Sequence, residues 1–221
     1  MPYSGPNLRE VGKTDVHIAE GVLSPAILAS GYALTCVGTA IGVRRLDNQG
    51  LLTCGLLASV FFIASLIHVP IGLTSAHLLG CGLLGVFLGW GAFPAMLAAL
   101  ILQAVFFQFG GITVLGVNTL TMASAAVLAS YLYRLVLRLL PTRRGLAWAA
   151  FLAGFFGVGF AAFFTACALA FSEEGFKAAA YALFLAHLPI MLVEGCITMF
   201  TLAAIARMRP EYLPGSHLPK A

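Results

Sequence analysis

The sequence predicts an all-α integral membrane protein of about seven transmembrane helices, with its N-terminus outside. Three observations lead there. Hydrophobic residues make up 61% of 221 and charged ones 9%, with a mean hydropathy of +0.99, whereas a soluble domain carries roughly 25% charge. The apolar runs recur at about the length needed to cross a ~30 Å hydrocarbon core as a helix. The basic residues fall in short clusters between those runs, as they do in the cytoplasmic loops of membrane proteins.

The runs lie at about 24–43, 51–69, 72–89, 92–109, 115–140, 147–171 and 179–206. Every backbone polar group must be satisfied inside lipid, and uninterrupted runs of this length achieve it as helices, not as barrel strands. Gly and Pro mark the junctions: Pro70-Ile71-Gly72, Gly89-Trp90-Gly91, Gly110-Gly111 and Pro141. With seven spans, Arg44, Arg45, Arg134, Arg138, Arg143, Arg144, Arg207, Arg209 and Lys220 share one side, against Arg9, Lys13 and Lys177 on the other. The first side is then cytoplasmic, with the C-terminus. The outer side also carries Glu10, Asp15, Glu20, Glu173 and Glu174, a mildly acidic mouth that attracts cations.

Several function classes fall away. The net charge of +4 is no nucleic-acid footprint, because it is split among inter-helix clusters. Cys36, Cys54, Cys81, Cys167 and Cys196 stand singly in apolar stretches, where cysteine acts as a small hydrophobe and not as part of a disulfide framework. The first 23 residues lack the apolar core of a signal peptide. Gly12-Lys13-Thr14 resembles the end of a P-loop, but Asn7 stands where the first glycine belongs. An H-E-x-x-H zinc-protease motif is missing too.

The segment Asp15-Val16-His17-Ile18-Ala19-Glu20-Gly21-Val22-Leu23-Ser24-Pro25 leads into the first apolar run, and His17 is its centre. His77 sits early in another, among Gly72, Thr74, Ser75, Ala76 and Gly80. Small residues let backbones approach closely in membranes, which would let an inserted loop reach a buried ligand. Both histidines fall on the outer side, and they are expected to meet around a transition-metal ion. His68, beside Pro70, belongs at the interface or behind the ligands. Gln103, Gln108 and Asn118 are amides in or near apolar segments; they either orient a loop or an imidazole or join helices without any metal. His187 and Glu194 stand seven apart on one helix face. That carboxylate either takes part in function, pairs with His187, or caps a loop.

Four ordered stretches carry a resemblance. They are Val16-His17-Ile18-Ala19-Glu20-Gly21-Val22-Leu23, Thr74-Ser75-Ala76-His77-Leu78-Leu79-Gly80, Gly110-Gly111-Ile112-Thr113-Val114-Leu115-Gly116-Val117-Asn118, and Ala186-His187-Leu188-Pro189-Ile190-Met191-Leu192-Val193-Glu194-Gly195. Together they resemble the CbiM/NikM family, the substrate-capturing membrane components of energy-coupling-factor cobalt and nickel importers. The resemblance implies a helical bundle over residues 16–208, with its N-terminal segment inserted into the centre and a cytoplasmic tail at 209–221. It implies Co(II) or Ni(II) as transported substrate, with no permanently bound cofactor. The family's Met-His start supplies an amine, a backbone nitrogen and an imidazole, and a histidine matching His77 completes a near-planar nitrogen set. His68, Ser75, Gln103 and Asn118 would stand around that set. The implied partners are a transmembrane scaffold subunit, paired ATPase subunits and a small accessory membrane subunit, in the cytoplasmic membrane of a prokaryote. The chain itself would not be an enzyme.

One departure stands out: fifteen residues precede Val16, so no amine lies beside His17. Translation starting at Val16 from a GTG codon is the preferred explanation, making 1–15 an extension absent from the mature chain. Proteolysis before Val16 is the second. Retention of the extension, with Asp15 or a peptide nitrogen replacing the amine, is the third. A metalloenzyme or structural subunit built on His187 and Glu194 is the alternative class.

Overall fold

Apolar runs free of charge can lower their backbone cost in lipid only by closing every hydrogen bond within a helix, and the chain does this almost throughout. The computed structural model describes residues 18, 21, 23–66, 68–71, 74–172, 181 and 184–214, the side chains of 68–71 and 74–77 excepted. Helix α1 covers Pro25–Arg44 and α2 Asn48–Leu66. Strands β1, His68–Ile71, and β2, Thr74–His77, pair antiparallel. Then come α3, Cys81–Leu88, a 3-10 turn at Gly89–Gly91, and α4, Ala92–Phe107. Helices α5, Leu115–Leu139, α6, Arg143–Ala170, and α7, Leu188–Met208, complete the bundle.

Local chemistry sets the helix starts. Pro25 opens α1 after an extended Ser24, the position where a missing N–H costs nothing. Thr142 caps α6 by accepting from the Gly145 N–H at 3.0 Å, the usual N-cap bond. The buried positions of α1 are Gly31, Thr35, Gly38 and Gly42, a stripe of small residues against Val117, Phe93 and Trp90. Helix α2 buries only Cys54, Phe61 and Ser65 and leaves Leu52, Leu56, Val60 and Ile63 for lipid.

The third and fourth apolar runs behave differently from a pair of plain helices. Within the stretch expected as one span at 72–89, the described residues 74–88 form a strand, a short loop and an eight-residue helix. Hydropathy alone does not separate these, since Val69, Ile71 and Thr74 suit a strand as well as a membrane helix. Helix α3 runs alongside α5 in the same sense, with Gly85 against Ala126 and Gly89 against Ser130 and Arg134. Helix α4 then runs alongside α2: the Cys54 thiol points at the Gly91 carbonyl, and farther along Gln103 reaches Ser65. The chain therefore reverses at Gly89-Trp90-Gly91. Among the described residues, six helical stretches are long and apolar enough to cross a membrane. One of them, Cys81–Phe107, has these two limbs, which brings the count near the expected seven.

The two ends of the bundle differ. At one, Arg45 lies 5.5 Å over the Trp90 ring, the Trp90 indole N–H donates to the Tyr131 hydroxyl at 2.9 Å, and Leu213 is buried beside Tyr133 and Leu146. The arginines cluster there, which makes it the cytoplasmic end. At the other end Ile18 and Leu23 pack on Val114, Val117, Ala162 and Leu169.

Candidate metal centre

An N-terminal segment can enter an apolar bundle only if its backbone finds partners there. Ile18 does. Its side chain is 4% exposed. Its N–H donates to Oδ1 of Asn118 at 3.2 Å, and its carbonyl accepts from Nδ2 of Asn118 at 3.3 Å. Asn118, on the first turn of α5 and itself buried, spends both ends of its amide on this one residue. The residue before it in the chain is His17. His17, Val16 and Asp15 lie outside the described residues.

The second predicted ligand lies on the hairpin, with its backbone alone described. His77 ends β2 and is the cross-strand partner of His68, while Ser75 is the partner of Pro70. The register thus sets two of the histidines opposite each other. Immediately downstream, the chain is held by Glu194. This side chain is 1% exposed, and its Oε1 accepts from the N–H of Leu79 at 2.5 Å and of Gly80 at 2.7 Å. Gly80 caps α3 in the left-handed region, φ +59, a conformation that favours glycine. A carboxylate facing the unpaired N–H groups at a helix start also meets the positive end of its dipole.

The two held segments converge. Cys81 donates its thiol to the Met122 carbonyl at 3.7 Å, and Met122 lies one turn along α5 from Asn118, ~5.4 Å. On α6, Ala162 packs with Ile18 while Ala161 and Val158 belong with Leu79 and Cys81. Both histidine-bearing segments are therefore anchored on adjacent turns of the same two helices.

The other predicted residues lie on α4 and at the start of α7. Gln103 is 1% exposed on α4; its Nε2 donates to Ser65 Oγ, and among the described residues its Oε1 has no hydrogen-bond partner. Ser65 in turn donates to the Phe62 carbonyl at 2.8 Å. Gln103 thus stands at the top of α2, three residues before β1. His187 is buried at the start of α7. Among the three roles left open for Glu194, the structure has it capping a loop. Among the described residues, His, Cys, Asp and Glu side chains form no group of three that could hold a metal.

Sequence reasoning did not reach the backbone of Ile18, Leu79 and Gly80 as the groups that are gripped, nor Ser65 as the partner of Gln103. Gly80 carried a signal, being a glycine directly before an apolar helix. The partnerships of 100, 115 and 114 residues' separation carried none.

A bundle with six membrane-length helical stretches among its described residues, and two buried polar clasps on Ile18 and on Leu79 and Gly80, defines a multi-pass membrane protein with polar groups in its interior. The comparisons give it a family. The profile described as "Cobalt uptake substrate-specific transmembrane region" matches residues 17–212. The chain belongs to the CbiM family. It is 38% identical over 199 residues to a "Putative metal transport protein" of Haemophilus influenzae, covering 90% of this chain and 97% of that one. It is 33% identical to "Cobalt transport protein CbiM" of Sorangium cellulosum, covering 90% and 94%. To "Fused nickel transport protein NikMN" of Rhodobacter capsulatus it is 34% identical, covering 93% and 66%. A crystal structure of a truncated transition metal transporter superposes with a TM-score of 0.75 at 28% identity, covering 86% of this chain and 98% of that one. The family is that of a transport component, and a prokaryotic inner membrane fits it.

Proposed function

We propose that this chain captures Co(II) or Ni(II) at the outer face of the cytoplasmic membrane and delivers it for ATP-driven uptake by energy-coupling-factor partners. His17 and His77 supply imidazole nitrogens. Val16 supplies an amine where the mature chain starts there, and residues 1–15 are then lost; where they are retained, Asp15 takes that place. His68, Ser75, Gln103 and Asn118 surround the ligands and fix their orientation. A nitrogen set of this kind suits Ni(II) and Co(II) and excludes cations that need six or more oxygens. Paired ATPase subunits supply the energy, acting through a transmembrane scaffold subunit together with a small accessory subunit.

The observation that carries this reading is the Asn118 clasp on Ile18. It supports the insertion of the His17 segment into the bundle, beside the turn of α5 that meets Cys81. The test is accumulation of labelled cobalt or nickel in cells expressing the full importer. His17→Ala and His77→Ala should each abolish accumulation while the protein still reaches the membrane. Uptake persisting in both variants would sink the reading. The intact mass of the mature chain decides between Val16 and Asp15.

A further inference from the structure

We infer that Glu194 is a positioning residue, holding the chain that leaves His77 at a fixed depth so that the imidazole is in place before metal arrives. This rests on the metal reading above and adds to it a residue on α7 that is not a ligand.

Three observations carry the inference. First, Glu194 spends one oxygen on two successive backbone N–H groups, those of Leu79 and Gly80, two and three residues past His77. Leu79 itself is fully buried, so its N–H has no water to turn to, while Gly80 is half-buried. Second, Glu194 cannot drift. A Cβ on Gly154 would lie 2.5 Å from the Glu194 carbonyl oxygen and 2.6 Å from Thr198 Oγ1, so α6 and α7 touch backbone to side chain there. A Cβ on Gly82 would lie 2.5 Å from the Gly154 Cα. Helices α3, α6 and α7 thus meet at one glycine-lined node, with the carboxylate beside it. Third, the segment between β2 and α3 is only Leu78–Gly80. Fixing two of its three N–H groups fixes the strand end that carries His77.

A buried carboxylate is costly in a membrane and is retained where it has work to do. The carboxyl group accepts both bonds at a single oxygen, on a side chain whose own backbone packs tightly against α6, and so sets a position as well as satisfying donors.

The test uses the full chain in lipid nanodiscs, with Glu194→Gln, Glu194→Asp and Glu194→Ala beside His77→Ala. Hydrogen–deuterium exchange of the metal-free protein reads the peptide covering 78–81. Co(II) titration, followed by its visible spectrum, reads the site. Glu194→Gln keeps an acceptor oxygen at the same reach and should exchange and bind within about threefold of the parent. Glu194→Asp withdraws the oxygen by one methylene, and Glu194→Ala removes it. Both should raise exchange at 78–81 and weaken Co(II) binding by about tenfold or more, with an altered spectrum. His77→Ala should lose the Co(II) spectrum altogether. Parent-like exchange and affinity in Glu194→Asp overturns the inference, and so does loss of the spectrum in Glu194→Gln, which would make the carboxylate a ligand. A parent chain that binds neither cobalt nor nickel defeats the metal reading; the exchange arm, which needs no metal, still decides whether Glu194 positions this segment.

Discussion

Asn118 and Glu194 hold the two chain segments that flank the proposed site, and they do so with opposite chemistry. Asn118 grips one residue through two bonds of opposite sense, accepting from the Ile18 N–H and donating to its carbonyl. Glu194 grips two residues through bonds of one sense, accepting from Leu79 and Gly80. The difference follows from what is held. A chain passing without a strand or helix of its own offers both a donor and an acceptor, and a side-chain amide has one of each to return. A chain about to enter a helix offers only N–H groups, because its carbonyls are claimed by the turn ahead. The carboxyl oxygen Oε1 of Glu194 accepts here and returns no donor. Polar residues inside an apolar bundle thus match the backbone they serve.

Substitutions can break or sharpen this comparison, and the largest effect is expected at the ligands. His77→Ala should remove Co(II) binding, measured by titration of the purified protein, while leaving its thermal unfolding close to the parent's. Asn118→Asp comes next. It keeps an acceptor for the Ile18 N–H but sets a second oxygen against the Ile18 carbonyl, so metal affinity should fall by about 10–100-fold. The matching change at the other clasp, Glu194→Gln, is far milder because a carbonyl oxygen remains to accept; equal losses at the two sites would contradict the donor–acceptor argument. Gly154→Ala should cost about 1–3 kcal/mol, read as a lowered unfolding temperature in nanodiscs, since its methyl must push α7 off α6. The smallest effect belongs to Trp90→Phe at the basic end. It loses one exposed hydrogen bond to Tyr131, about 0.5–1.5 kcal/mol, and should leave Co(II) affinity unchanged.

Much of the site could be named from residue types, while its connections could not. Asn118 and Glu194 stood out because polar groups are rare and expensive in apolar runs. The seven-residue spacing of His187 and Glu194 correctly put both on the buried face of one helix. Yet Glu194 turned out to serve the backbone 115 residues upstream, at Leu79, and nothing in the spacing with His187 points there. Gln103 was legible as a buried amide, but its tie to Ser65 depends on α4 running beside α2. The stretch 72–89 read as one helix because hydropathy measures transfer from water and is blind to whether the backbone closes its bonds along itself or across a strand pair.

What the sequence determined by itself was membrane residence and the approximate number of spans, and its charge bias set the expected orientation. These depend on local quantities, the length of each apolar run and the charge of each short link, that no distant contact can reverse. Tertiary structure alone decided that the third pass is a hairpin followed by a half-length helix, and which side chain holds which segment. Those outcomes depend on groups a hundred residues apart finding complementary donors and acceptors where water is absent, and only the packed bundle brings such groups within 3 Å or so of each other.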